Sequence, residues 1–342
     1  MRGSPYFANY VSPNIDMSPE DVRSMCCRIR IDNRELKKRG GGFFGAHPLT
    51  GSIGVVTMNM PLIAYLSKDE GTFFGLLDHA LEVARDSLEL KREFIEARTA
   101  SNPTLYPFSK IYLQQVYDRF GKYWINHFST LGLVGMHEAC LNLFGKGIET
   151  DSGLRFSIDV LNHMRDRALE FQQETGHMYN AEATPAESTS HTLAKYDKQQ
   201  FPQIITSGNK MGWFYTNSTQ LPNDYDAPLG THLLHQNQLQ PLYTGGTVFH
   251  MWNGEAGSWW EGVSKLVRRV LTNTEIPYLT YTPTTSVCPT HGIMAGEFPI
   301  CPQCGQNSEV WSRVTGYFSV VNQWNDGKRE EFKIRHHFPL ST

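Results

Sequence analysis

The stretch SRVTGYFSV, residues 312–320, decides how the rest of the chain is read. Its valine, threonine, tyrosine and phenylalanine favour pleated backbone, yet Gly316 stands in the middle, where a glycine weakens a strand and has no side chain to pack. The ordinary reason for such a glycine is a bulge or a close backbone neighbour. A second reason is chemical. Loss of a hydrogen atom from a glycine Cα leaves a planar radical, stabilised by donation from the amide nitrogen and withdrawal by the carbonyl, with no side chain to force it out of plane. The surrounding sequence has to decide between the two.

Just upstream, CPTHGIMAGEFPICPQCG (288–305) presents Cys288 and His291 as a C-x-x-H pair and Cys301 and Cys304 as a C-x-x-C pair, with nine residues between the pairs. Two-residue gaps let both members of a pair face one ion, and thiolate with imidazole in a tetrahedral array is what zinc selects. Four protein ligands leave no open position, so the site is expected to be structural. The spacing fixes His291 least, because a water or another residue could stand in for it. The second pair ends eight residues before Ser312, which suggests that the metal holds something nearby in place, with Gly316 as the candidate.

The totals set bounds. With 342 residues, 40% of them hydrophobic and 12% aromatic, the chain can bury a large core. The 31 basic and 34 acidic residues give a formal charge of -3, so no global field draws in nucleic acid or an anionic membrane. No run of 18 apolar residues occurs, and MRGSPYFANYVSPN lacks the apolar region of a signal peptide. A soluble cytoplasmic protein is expected, without nucleic-acid or membrane partners. Six cysteines in a chain of this length do not suggest a disulfide framework.

SIGVVTMNMP reads as a strand stopping at Pro61. Two long helices are expected, over about 72–98 with Leu77, Leu81, Ala84, Leu88 and Ile95 in one stripe, and over 151–176 with Leu154, Ile158, Leu161, Ala168 and Phe171 before Gly176. LGLVGMHEACLNLFG is a short apolar element in which His137 and Cys140 read as packed interior residues. QPLYTGGTVFHMW, IPYLTYTP and RVTGYFSVVNQW read as strands bounded by turn residues. In NAEATPAESTSHTLAKYD, Thr184 can cap a helix with Pro185 first and Glu187 third, a capping box. A helix start offers free N–H groups and a positive dipole end, both suited to phosphate. The whole is expected to be mixed α/β, with one large core over 1–284, a small zinc module over 285–310 and a terminal loop and tail over 311–342.

RVTGY resembles the radical-site signature of the glycyl radical enzymes, and the cysteine–histidine module before it resembles that of their anaerobic, class III ribonucleotide reductase branch. PYFANYVSPN, RSMCCRIRID, GGGFFGAHPLTGSIGVVTMN, LGLVGMHEA, EATPAESTSHTLAKYD, YTNSTQLP and LQPLYTGGTVFHMWNGE are similar to segments of that family in the same order. The resemblance implies part of a ten-stranded α/β barrel, with the radical glycine and a reactive cysteine on loops that meet inside it. The relay cysteine of the family directly precedes an arginine, which matches Cys27 before Arg28, with Cys26 as its rival; Cys26 reads otherwise as a small buried side chain.

As a thiyl radical the relay would take the 3'-hydrogen of the ribose, after which the 2'-hydroxyl leaves as water. Many relatives use formate as reductant, and the absence of an acid in Arg28, Ile29 and Arg30 agrees with that. Ser52 falls where relatives place a polar residue facing the ribose, and otherwise reads as a turn serine. The resemblance places substrate phosphates on Thr184, Ser188, Thr189 and Ser190. It also implies an iron–sulfur, S-adenosylmethionine-dependent activating partner that makes the Gly316 radical, and a homodimer when complete. An amino-terminal half of the barrel and a regulatory region are expected on the same gene product or on a separate chain. Two other readings compete: a lyase or acyltransferase of the pyruvate formate-lyase type, disfavoured by the zinc module, and a non-catalytic zinc-ribbon protein, for which no basic face is evident.

Overall fold

The computed structural model describes residues 5–12, 22–24, 30–32, 50–101, 107–253 and 260–338. Cys26 and Cys27 lie outside them. Near the start, β1 (Tyr6–Ala8) is followed by β2 (Val22–Ser24) and β3 (Arg30–Asp32), which pair with each other antiparallel, Val22 opposite Asp32.

The core is built on three parallel strands, β4 (Ser52–Asn59), β5 (Phe128–Val134) and β6 (Met178–Ala183). Parallel neighbours need long crossovers. Here these contain α1 (Met60–Leu66), α2 (Glu70–Ser101) and α3 (Pro107–Phe120), then α4 (Met136–Phe144) and α5 (Asp151–Thr175). The two expected long helices are α2 and α5. Their stripes, Phe73, Leu77, Leu81, Ala84 and Leu88 on one and Phe156, Val160, Leu161, Met164 and Phe171 on the other, pack with Met58, Leu131, Leu133 and Tyr179 of the strands in one buried cluster. Gly176 ends α5 in a left-handed conformation, φ 71°, and its N–H reaches Gln172 O. The apolar stretch around 131–145 is a strand joined to a helix, β5 into α4. His137 and Cys140 are buried in it, and burial pushes the Cys140 thiol up to about 12, which suits packing rather than reactivity.

After β6 come α6 (Ser188–Gln200), the antiparallel pair β7 (Ser207–Asn209) and β8 (Gly212–Phe214), and α7 (Leu229–Leu239), leading to a second sheet that holds β9 (Phe249–Asn253) and β10 (Tyr278–Pro283) in parallel, bridged by α8 (Trp260–Asn273), with β1 antiparallel to β10. Its apolar side buries Phe249, Met251, Leu279 and Ile276 against Val267, Val270 and Leu271 of α8. The stretch leading into β9 is tied to β6, with Gly245 N–H donating to Ala181 O and Ala183 N–H to Gly246 O. Strands are thus linked in the order β4, β5, β6, β9, β10, β1, and among the described residues β4 and β1 are its open edges. QPLYTGGTVFHMW is strand only from Phe249; Gln240–Leu242 is a turn of 3-10 helix, as proline at the second position of that turn permits.

Four antiparallel strands form the carboxy-terminal sheet, in the order β12 (Gly292–Ala295), β11 (Thr285–Cys288), β13 (Glu309–Arg313), β14 (Phe318–Val320). RVTGYFSV is therefore not one strand. It is a hairpin, with Ser312 opposite Ser319 and Arg313 opposite Phe318, closed by Val314 N–H to Tyr317 O. Gly316 sits in the turn. The boundary expected between 310 and 311 falls within β13, so the cysteine–histidine segment and the Gly316 hairpin share a sheet.

The last described helix, α9 (Asp326–Lys333), backs this hairpin through a buried group of charges: Lys328 and Arg335 both donate to Glu331. Arg335 also donates to the carbonyls of Arg313 and Val314, at 2.9 and 3.0 Å. Burial alone would raise the Glu331 carboxyl, but the two cations override it and hold it below its ordinary value near 4.5.

Replacing Glu331 with glutamine leaves two buried cations without a counter-charge and is expected to cost about 3–5 kcal/mol in urea denaturation. Because the folded value is depressed, the wild-type contribution is present above the ordinary carboxylate range and is lost as pH falls through the lower, folded value. Acidification below about 4.5 should therefore destabilise wild type more steeply than Glu331→Gln.

Candidate functional site

Cys288 ends β11 and His291 lies in the turn to β12; Cys301 and Cys304 form the second knuckle, with Gly305 N–H donating to Cys301 O at 2.9 Å. Each ligand pair is followed by a glycine in the left-handed region, Gly292 at φ 74° and Gly305 at φ 71°, which a side chain would strain. The four ligand atoms lie within 4.8 Å of one another. Cys288 Sγ is 3.6 Å from Cys304 Sγ and 3.7 Å from His291 Nδ1, and Cys301 Sγ is 3.5 Å from that nitrogen. A tetrahedral zinc with bonds of about 2.3 Å to sulfur and about 2.0 Å to nitrogen separates its ligands by roughly 3.5–3.8 Å. The set therefore fits zinc, His291 included. The backbone N–H groups of His291 and Thr290 help draw the Cys288 thiol down to about 6, towards the thiolate that a metal needs.

The sheet carries this fixed point into the Gly316 turn. Gly316 is half-buried, and its carbonyl accepts hydrogen bonds from the Tyr6 hydroxyl of β1 and from Arg313 Nη1, the latter at 3.2 Å. The Arg313 guanidinium lies over the Tyr6 ring, 4.2 Å from its centroid, while its Nε donates to Thr282 Oγ1 of β10 at 3.1 Å. On the far side of the turn, the exposed Tyr317 hydroxyl is hydrogen-bonded to Glu187, whose charge raises the phenol's pKa. Asn325, which caps α9, donates to Glu187 O. The turn thus touches both β1 and the 184–190 segment.

That segment does not form the expected capping box. The helix α6 (Ser188–Gln200) begins later, with Glu187 at its cap and no side-chain cap bond. Thr184 instead continues from β6, and its Oγ1 pairs with Thr57 Oγ1 of β4 at 3.0 Å. The contact crosses Gly132, where a Cβ would stand 1.9 Å from the Thr184 oxygen. A long-range partner has taken the hydroxyl that a local cap would have used. Ser188 is exposed and Thr189 half-buried at the start of α6, whereas Ser190 is fully buried and donates to Glu187 O.

Strand alternation sorts the sheet into two faces. Leu131, Leu133, Tyr179 and Ala183 face the helices, which turns Thr130, Gly132, Asn180 and Glu182 to the other side in the register Thr130–Asn180 and Gly132–Glu182. Both side-chain polar atoms of Asn180 and the hydroxyl of Thr130 are buried without a hydrogen-bond partner among the described residues. Such atoms mark a face prepared for polar contacts. Glu182, on the same face, is buried as well. Ser52 lies at the opposite end of β4 from Thr57, roughly 16 Å away at ~3.3 Å per residue, and donates to Gly54 O. It is not gathered with the Thr184 group.

Sequence reasoning missed Tyr6, Arg313, Arg335, Asn180 and Glu182. Only the last two carried a signal, as polar residues in a strand with buried neighbours.

A family profile described as anaerobic ribonucleoside-triphosphate reductase matches residues 1–338. The anaerobic ribonucleoside-triphosphate reductases of Haemophilus influenzae and Escherichia coli are 28% and 27% identical over 315 residues, covering 84% of this chain and 43% of each relative. The chain thus spans less than half the length of these curated relatives. A solved anaerobic ribonucleotide reductase superposes with a TM-score of 0.68 at 24% identity, covering 85% of this chain and 45% of that one. The Thermotoga maritima anaerobic ribonucleotide reductase with MES in its active site gives 0.65, also at 24% identity, over 81% of this chain and 45% of that one. The mixed α/β architecture is shared with these structures. No described helix is long and apolar enough to cross a membrane.

Cys301→Ser is expected to remove bound zinc, as read by elemental analysis, and to raise amide exchange in β11 and β13 while leaving β4–β6 protected. Unchanged exchange in β13 after zinc loss would separate the metal from the hairpin.

Proposed function

This chain belongs to the anaerobic ribonucleoside-triphosphate reductase family, and from that premise we propose that it carries radical chemistry that replaces the 2'-hydroxyl of a ribonucleoside triphosphate with hydrogen. The observation that carries the reading is the seat of Gly316: a turn anchored by the metal-type sheet and α9, in contact with the 184–190 segment through Tyr317 and Glu187. The family premise displaces the lyase and zinc-ribbon alternatives.

In this reading an iron–sulfur partner cleaves S-adenosylmethionine by one electron, and the resulting deoxyadenosyl radical takes a hydrogen atom from Gly316 Cα, giving deoxyadenosine and a glycyl radical. Cys27, with Cys26 as its rival, gives its S–H hydrogen to Gly316 and becomes the thiyl. The thiyl removes the ribose 3'-hydrogen, the 2'-hydroxyl takes a proton and departs as water, and formate supplies two electrons and the hydrogen that ends on C2', leaving as carbon dioxide. The 3'-hydrogen then returns from the cysteine, which recovers a hydrogen atom from Gly316.

Substrate phosphates would meet the free N–H groups and positive end of α6, with the Ser188 and Thr189 hydroxyls beside them. Thr184 and Ser190, whose hydroxyls have protein partners, would hold that segment in shape. Ser52 would act only if the ribose reached the far end of β4. Zinc on Cys288, His291, Cys301 and Cys304 supplies a structural cross-link and no open coordination position. A complementing amino-terminal half would pair with the edges of β4 and β1 and present the polar face to a closed barrel, in a cytoplasmic homodimer.

After anaerobic activation in the presence of the complementing half, exposure to oxygen should cut the main chain at Gly316 and release a piece of about 26 residues (342 minus 316), visible by mass spectrometry. Gly316→Ala should abolish both cleavage and deoxyribonucleotide formation. Intact wild-type chain after activation and air would contradict the assignment.

A further inference from the structure

We propose that Tyr6 and Arg313 form a two-donor clamp on the Gly316 carbonyl that stabilises and orients the radical, with Tyr6 as a positioning residue supplied from the opposite end of the chain. This rests on the reading of Gly316 as the radical site. The Tyr6 hydroxyl and Arg313 Nη1 both donate to Gly316 O. Neither donor is free to drift. Tyr6 is held in β1, opposite Thr280 of β10, and its ring contacts Tyr278. Arg313 is 1% exposed, stacks on the Tyr6 ring and is fixed by Thr282. Thus β10 sets the position of both donors.

The chemistry of the glycyl radical gives this arrangement a purpose. Spin on the Gly316 Cα spreads towards the carbonyl oxygen, and the accompanying resonance form places negative charge on that oxygen and positive charge on the amide nitrogen. A hydroxyl donor and a buried cation on the oxygen favour that form, and hydrogen bonds involving charge in a low-dielectric setting are the stronger class. The parent Cα–H state gains less from the same two donors, because its carbonyl carries less charge. The clamp therefore shifts the hydrogen-atom exchange between Gly316 and the relay thiol towards glycyl radical with intact S–H, the storage side. Fixing the carbonyl plane also fixes the direction in which the Cα hydrogen points.

The test compares wild type, Tyr6→Phe, and wild type in which tyrosine is replaced by a fluorinated tyrosine, a stronger donor of the same shape. Each is activated anaerobically with the complementing half and the iron–sulfur partner, and radical yield is counted by electron paramagnetic resonance. Tyr6→Phe keeps the ring under Arg313 and removes only the hydroxyl. It should lower radical yield or lifetime about fivefold, the order that one hydrogen bond commands, and the fluorinated protein should match or exceed wild type. In deuterated buffer, electron–nuclear double resonance should detect the Tyr6 hydroxyl deuteron coupled to the radical in wild type and lose that component in Tyr6→Phe, while the couplings of the Arg313 and amide deuterons remain. A purely structural role for Tyr6 would not remove that coupling alone while melting behaviour stays unchanged. If Tyr6→Phe gives the same yield, lifetime and deuteron coupling as wild type, the clamp is wrong while the radical assignment stands. If wild type gives no radical, both fall together.

Discussion

Arg335 donates to the carbonyls of Arg313 and Val314 while its charge is met by Glu331, and the position of the Gly316 turn depends on that contact. Two buried carbonyls at the end of a strand are satisfied from the side by a buried cation. Its guanidinium also lies 3.9 Å from the centre of the Trp252 ring on β9. One side chain thereby joins the sheet of β9, the terminal helix and the start of the hairpin. On the other side, β13 shares its ladder with β11, whose last residue is a metal-type cysteine. The turn is gripped from two directions by interactions that do not depend on each other, one ionic and one set by ligand geometry.

The radical proposed for Gly316 would need a fixed position, because it has to remain within reach of a thiol. The contacts on the half-buried turn, the β1 hydroxyl on its carbonyl and Glu187 on Tyr317, come from different parts of the chain. The polar face of β5 and β6, with Asn180 and Thr130 unsatisfied among the described residues, is the kind of surface that binds a hydroxyl-rich molecule or accepts a further polar segment. Leaving such atoms buried without partners costs about 1–3 kcal/mol each.

What the sequence made legible follows the range of the forces involved. The ligand set was readable because knuckle spacing is a local property, and the structure brings all four side chains together. The helices α2 and α5 were readable because a stripe every three or four residues reflects one buried side. The capping box at Thr184 failed because its hydroxyl had a better partner, Thr57, 127 residues away. The strand through Gly316 failed for a similar reason: residues 312–320 have strand propensity on both sides of the glycine, and tertiary contacts with α9 and β1 turn the chain back there. Tyr6, separated from Gly316 by 310 residues, carries no local mark of its role.

The central claim is that an unpaired electron can be stored on the Gly316 Cα. The most direct measurement is the paramagnetic resonance spectrum of anaerobically activated protein prepared with ordinary glycine and with glycine deuterated at Cα. The account predicts a doublet from the single α-hydrogen that collapses to a singlet on deuteration, and no signal from Gly316→Ala. A signal indifferent to glycine labelling, or one that persists in Gly316→Ala, would contradict it.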